Sequence, residues 1–206
     1  MTIQAILFDA DGVIQTTSDD FVDTLKGLLH DAGDVDRFLK DIFAAEFPTL
    51  TGDGDFATNL RGVLEHWNVH TSVDQVLNAW TLIKPMDGID MLVTQLRCAG
   101  VLCCVASNQQ SHRAHHMSHL LGYHDMFDRE FYSCKLGVMK PDPEFFEQIV
   151  ERLDIAPSEL LFIDDSVANV DAATSAGINA ALFRTLDHLD PVASLSGVIG
   201  KYGVRL

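Results

Sequence analysis

The sequence predicts an α/β protein, with a doubly wound, Rossmann-like parallel sheet as its core and an all-helical cap inserted into it. Three observations carry this. Short, nearly continuous apolar segments stop abruptly at turn chemistry, as strands buried on both faces of a parallel sheet do. Helical patterns alternate with them, which makes a layered α/β sheet. Residues 15–84 break that alternation with a purely helical block, leaving 1–14 and 85–206 as the core.

The first strand is Ile3 to Phe8, ending in Asp9-Ala10-Asp11-Gly12. Val101 to Ala106, Leu160 to Ile163 and Ala180 to Phe183 read the same way. Between them, Ile89, Leu92, Val93 and Leu96 share one helical face, and Gly100 follows as a stop. Asp142 caps a helix that Pro143 opens and that runs through Leu153. A third helix runs from about Ser166 to Ala176 and stops at Gly177. Inside the block, helical patterns cover 19–31, 34–46, 55–67 and 72–83, with no strand among them. They are separated by Gly33, Pro48, the Gly52-Asp53-Gly54 turn and Pro85.

Composition narrows the function. The chain has 206 residues, of which 47% are hydrophobic and 21% charged, so neither disorder nor a fibrous repeat fits. Fourteen Lys and Arg against 30 Asp and Glu give a net charge of −16. Such a chain repels phosphate backbones and anionic lipid, so neither nucleic acid nor a membrane surface is expected as a partner. An anionic small molecule stays open, because one cation can invert the field in a cleft. No apolar run approaches the roughly 18 residues of a membrane span. Met1 to Leu25 holds no Lys or Arg, and the opening apolar run stops at Asp9, so a secretory signal is not expected. Cys98, Cys103, Cys104 and Cys134 lack CxxC spacing and read as reduced, buried thiols of a cytoplasmic protein, Cys103 and Cys104 as core packing.

In doubly wound sheets, ligands bind at the carboxyl ends of the strands. Asp9 and Asp11 leave the first strand, Ser107 and Asn108 the second, and Asp164 with Asp165 the third. Lys140 sits in Gly137-Val138-Met139-Lys140-Pro141-Asp142-Pro143, where Pro141 keeps it out of helical geometry in an extended loop. Clustered carboxylates repel unless a cation neutralises them. An all-oxygen set suits Mg²⁺, which shares its shell with a substrate phosphate. Lys140 adds a compact charge, and Ser107 and Asn108 add donors for phosphoryl oxygens. Phosphoryl transfer needs such positioning and neutralisation, with one carboxylate able to serve as covalent nucleophile.

Asp9-Ala10-Asp11-Gly12-Val13, Ser107-Asn108, Lys140-Pro141-Asp142-Pro143 and Ile163-Asp164-Asp165-Ser166 resemble the four ordered motifs of the haloacid dehalogenase-like hydrolase superfamily. The helical block lies where that superfamily inserts its cap. Ser107 through Ala173 is similar to the branch of glucose-1-phosphate phosphatases and of the phosphatase domain of soluble epoxide hydrolases. The resemblance implies a Mg²⁺-dependent phosphatase acting on a small phosphorylated metabolite through an aspartyl-phosphate. It implies Asp9 as nucleophile and Asp11 as general acid and base, with Ser107, Asn108 and Lys140 on the phosphoryl group. Asp9, the Asp11 carbonyl and Asp165 would hold the metal, while Asp164 stands behind them or holds Lys140. Asn169 either orients that pair or lies exposed. A phosphomutase shares every core residue; a catalytically silent binding protein is the alternative from another class. A 2-haloacid dehalogenase is disfavoured, because those relatives lack an acid at the position of Asp11.

Other residues fit structural roles. His112, His115, His116 and His119 share one helical face, but no clear third ligand accompanies them, so a polar stripe is expected. Trp67 and Trp80 read as cap core. Gln109 and Gln110, and the loops Gln15–Ser18 and Thr49–Asp55, are where substrate specificity is expected to lie.

Overall fold

The computed structural model describes residues 2–29 and 34–205. Gly33, expected as a helix breaker, and the end of the 19–31 helical pattern lie outside the described residues. The core is a five-stranded, wholly parallel sheet in the order β5-β4-β1-β6-β7. Its strands are β1 (Ala5–Phe8), β4 (Leu102–Ser107), β5 (Arg129–Tyr132), β6 (Leu160–Asp164) and β7 (Asn179–Leu182). β1 is central. Its register pairs Phe8 with Val105 on one side and with Ile163 on the other, so β6 runs one residue and β4 two residues past the end of β1. The chain turns to opposite sides of β1 after the first and third of these strands, and the crevice at that switch is the expected ligand position.

Alternation along β1 divides the core. Ile6 and Phe8 join the cluster under α5 (Ile89–Cys98) and α11 (Pro191–Gly200). Ala5 and Leu7 pack with Phe145, Phe146 and Ile149 of α9 (Pro143–Leu153) and with Ala173 of α10 (Val167–Ser175). The helical block has a core of its own, built from Phe21, Leu25, Phe38, Ile42, Phe56, Leu60, Leu64, Val76, Leu77, Ala79 and Trp80. Its helices are α1 (Asp20–Lys26), α2 (Val35–Glu46), α3 (Phe56–His66) and α4 (Val73–Leu77).

Several elements differ from expectation. The block is not strand-free at its margins: β2 (Gln15–Thr17) and β3 (Ile83–Pro85) form a two-stranded antiparallel ribbon between block and sheet. Pro85 restricts Lys84 to extended geometry, so a strand rather than helix follows there. The helix expected over 72–83 therefore stops at Leu77, and a single tight 3₁₀ turn, Asn78–Thr81, leads into β3. The sheet has a fifth strand, β5, at its edge, with only Phe131 and Tyr132 buried. Finally, the histidine face is broken. α6 (Ser111–His115) gives way to a π-helical turn, His116–Leu120, which shifts the register. His115 and His119 remain neighbours, with rings 4.6 Å apart, and both are exposed. Of the four cysteines expected to be buried, Cys103 and Cys104 are, but Cys98, at the end of α5, is exposed and Cys134 is half-buried.

Candidate active site

Asp9 follows β1 directly, and its N–H donates to the Ile163 carbonyl at 2.9 Å, continuing the β1–β6 ladder by one residue. Its carboxylate is thereby placed beside Asp164, the last residue of β6. The Lys140 ammonium joins them. Nζ donates to Asp9 Oδ1 at 2.7 Å, to Asp164 Oδ2 at 2.6 Å and to the Ala106 carbonyl at 2.9 Å. All three N–H bonds of the ammonium are used, in a setting where Lys140 is 3% and Asp164 0% exposed.

What holds Lys140 there is Asn108. Its side-chain amide donates to the Lys140 carbonyl at 2.8 Å and its oxygen accepts from the Lys140 N–H at 2.9 Å. Lys140 and Pro141 sit in a turn closed by the Asp142 N–H on the Met139 carbonyl, rather than in the extended loop expected. Asp142 then caps α9 as expected, accepting from the Glu144 N–H at 3.0 Å. The Asn108 side chain is thus spent on backbone, while Ser107 beside it is buried with its hydroxyl accepting from Gln109 Nε2 at 3.1 Å.

Asp164 is enclosed by donors. Besides Lys140, the Ser166 N–H reaches Oδ1 at 2.8 Å, and Asn169 Nδ2 reaches Oδ1 at 3.0 Å and Oδ2 at 3.1 Å. Asn169 therefore orients Asp164 and is not a free surface amide. Asp165 is half-buried and lies against Gly12. Gly12 has φ +82°, and a Cβ there would run into the Asp165 carboxylate.

The charges are out of balance. Oxygens of Asp9, Asp164 and Asp165 all lie within 4.8 Å of one another, against the single Lys140 ammonium. Burial pushes the Asp9 carboxyl up to about 7, with Asp164 and Asp11 adding to the rise and Lys140 opposing it. Burial also raises Asp165, and Asp164 adds to it, while Lys140 and Arg184 oppose. Lys140 is raised despite a desolvation penalty, because Asp9 and Asp164 outweigh it. An excess of buried carboxylate over ammonium, with oxygen donors only, fits one hard divalent cation such as Mg²⁺.

Asp11 faces different partners. Its Oδ1 accepts from Arg113 Nη2 at 2.6 Å and from Gln15 Nε2 at 3.0 Å, and its Oδ2 from Gln109 Nε2 at 2.8 Å. Arg113 had no place among the expected site residues, because it lies within α6 and outside the strand-end motifs. It is nevertheless the one Lys or Arg between Arg97 and Arg129. Glu46, at the end of α2, carried no motif at all. Trp80 donates to it at 2.6 Å, and burial pushes its carboxyl up to about 7. The Trp80 bond and Arg113 oppose that rise, whereas Asp11 adds to it. Glu46 therefore brings the helical block within electrostatic reach of Asp11. The Thr49–Asp55 loop also meets the core: Gly52, at φ +77°, lies so close to the Cys134 carbonyl that no Cβ fits. Cys134 belongs to α8 (Ser133–Leu136), whose Ser133 Oγ accepts from the Gln109 N–H at 3.0 Å.

A parallel sheet with paired carboxylates and a lysine at its switch point can gather a divalent cation and a phosphoryl group. The model of the haloacid dehalogenase-like hydrolase family matches residues 3–177, and the chain belongs to that family. It is similar to an N-acetylmuramic acid 6-phosphate phosphatase of Pseudomonas aeruginosa, at 26% identity over 89% of this chain and 83% of that one. A phosphoglycolate phosphatase of Xylella fastidiosa is 24% identical over 91% and 83% respectively. A family enzyme from Bacteroides thetaiotaomicron, solved with magnesium and inorganic phosphate, superposes with a TM-score of 0.74 at 23% identity. That match covers 87% of this chain and 93% of the other.

Proposed function

We propose that the chain is a phosphoric monoester hydrolase that removes phosphate from a small phosphorylated metabolite, such as a sugar phosphate, through an aspartyl-phosphate on Asp9. One observation carries this. Lys140 ties Asp9 to Asp164 at the ends of β1 and β6, next to Ser107, while Asp11 is held separately by other donors.

In the first step an Asp9 carboxylate oxygen attacks phosphorus, and the bond from phosphorus to the substrate's ester oxygen breaks. Asp11 enters this step protonated; the departing oxygen takes that proton and leaves Asp11 ionised. In the second step water attacks the phosphorus of the aspartyl-phosphate, and Asp11 takes the water's proton. The phosphorus–Asp9 bond breaks, releasing inorganic phosphate and restoring the carboxylate. The Ser107 hydroxyl holds a phosphoryl oxygen, and Lys140 joins it by giving up its bond to Asp9 Oδ1, its other two N–H groups staying on Asp164 and Ala106. Asn108 serves through its backbone N–H, since its side chain positions the Lys140 turn. Asp9, the Asp11 carbonyl and Asp165 would hold Mg²⁺, with Asp164 behind them; when bound, the ion offsets the anionic charge of the phosphoryl group.

Residues 15–84 work as a cap, hinged on the β2–β3 ribbon, that supplies the wall facing the leaving group. Support comes from Glu46 and Gly52, which bring the block against the core beside the site. Among the described residues no helix is long and apolar enough to cross a membrane, and all four cysteines are unpaired. Both fit work in the cytoplasm.

The test is a screen of phosphorylated metabolites with Mg²⁺ present or chelated, reading phosphate release. Metal-dependent release is expected. No release from any substrate, a generic aryl phosphate included, would favour a silent binding protein.

A further inference from the structure

We propose that Arg113 is a positioning residue for Asp11, and that it couples the hinge of the helical block to the proton-transfer step. The inference rests on Asp11 being the acid and base of the reaction above.

The guanidinium is well fixed. Gln110 caps α6 with its side-chain oxygen, accepting from the His112 N–H at 2.6 Å and the Arg113 N–H at 3.2 Å. Arg113 is 8% exposed, unusual for an arginine, and its Nη2 lies 2.6 Å from Asp11 Oδ1. That same nitrogen is 3.3 Å from Thr17 Oγ1 on β2 of the hinge ribbon. Its Nε is buried with no acceptor. An arginine kept only to tie the fold together would be expected to satisfy that donor; this one is aimed through its tip at Asp11.

Oδ2 of Asp11 is fixed by Gln109 Nε2, which also touches Ser107 Oγ. Two-point anchoring sets the plane of the carboxyl group relative to the phosphoryl-binding hydroxyl. Gln15 Nε2 shares Oδ1 with Arg113, so without Arg113 the carboxyl group keeps one neutral donor on each oxygen and loses the charged one. It is then held less tightly, and an ångström of misplacement in a reacting group is costly. Because Nη2 is shared between Asp11 and Thr17, movement of the ribbon changes what holds Asp11. Arg113 acts through Asp11 and is not itself expected to bind the phosphoryl group.

The experiment is a double-mutant cycle on the full chain with Mg²⁺, using one alkyl and one aryl phosphate and a melting curve for each variant. Arg113→Gln is expected to lose about 10-fold or more in kcat on the alkyl phosphate, part of what a general acid contributes, with KM little changed. The loss on the aryl phosphate should be smaller. Asp11→Asn combined with Arg113→Gln should be no slower than Asp11→Asn alone. Arg113→Lys should fall between parent and Arg113→Gln, and it carries the test if Arg113→Gln does not fold. Multiplicative losses in the double variant, or a raised KM with unchanged kcat, would overturn the positioning role while leaving Asp11 in place. An Asp11→Asn enzyme as fast as the parent would overturn the reading of Asp11 and this proposal with it.

Discussion

Lys140 Nζ stands 2.7 Å from Asp9 Oδ1, two residues 131 positions apart in the chain, and both are buried. The bond joins the end of the first strand to the turn before α9, and it holds the proposed nucleophile in a fixed orientation. Breaking such a buried ion set by removing one partner typically costs about 3–5 kcal/mol. Lys140→Met should therefore lose about that much stability at neutral pH without metal, as read by urea unfolding, along with its activity. A variant as stable as the parent would mean that the carboxylates are not charged there.

The metal set has an expected order. Asp164 already accepts from Lys140, Ser166 and Asn169, so its oxygens are committed, whereas Asp165 is the less encumbered carboxylate. Asp165→Asn should weaken Mg²⁺ binding more than Asp164→Asn, and Asp164→Asn should destabilise the fold more. In the parent, Mg²⁺ at about 100 times its Kd should add about 2.7 kcal/mol of stability. Calorimetric titration and melting curves check both; no response to Mg²⁺ would remove the metal from the account.

Asp11 separates two leaving groups. General acid or base catalysis contributes about 10²- to 10⁴-fold, so Asp11→Asn should lose about that on an alkyl phosphate. An aryl leaving group needs little protonation, so its first step should suffer less and aspartyl-phosphate should accumulate. Equal losses on both, with no trapped intermediate, would confine Asp11 to shaping the metal site.

Glu46 sets a pH dependence. Its carboxyl is raised to about 7 in the folded chain, from 4.5, chiefly by burial. A group raised on folding contributes stability that is present below its unfolded value and lost as pH rises through the folded value. Glu46→Gln keeps the oxygen that Trp80 bonds and removes this loss. It should match the parent near pH 4 and become progressively more stable than it from pH 5 to 8, by up to about 3 kcal/mol. Identical pH profiles would place Glu46 in solvent.

β1, β4 and β6 were legible because burial on both faces leaves a continuous apolar run. β7, an edge strand, was legible because Ala180 to Phe183 are apolar, although the strand itself is only partly covered. Two helices were legible from the Asp142 cap and the Gly177 stop. β5 was not, since an edge strand buries only part of its length and Arg129 and Glu130 mask the pattern. β2 and β3 have three residues each, too short for any period, although Pro85 marks the second. At the site, Asp9, Lys140 and Asp164 could be placed because each leaves a recognisable strand or turn. Arg113 and Glu46 lie on helices, at positions that only the docking of block on core brings near Asp11. Asn108 showed the limit of residue type as evidence: the amide expected at phosphate is engaged with the Lys140 backbone.

The central claim is a covalent phosphorus–oxygen bond at Asp9. Rapid quench of the Asp11→Asn enzyme with an aryl phosphate, followed by borohydride reduction of the acyl phosphate and peptide mass spectrometry, tests it directly. The account predicts that the reduced residue is Asp9, and that Asp9→Asn with Asp11→Asn shows none while remaining folded. Burst release of the aryl alcohol with no modification at Asp9, or turnover by Asp9→Asn with deamidation excluded, would mean that water attacks phosphorus directly.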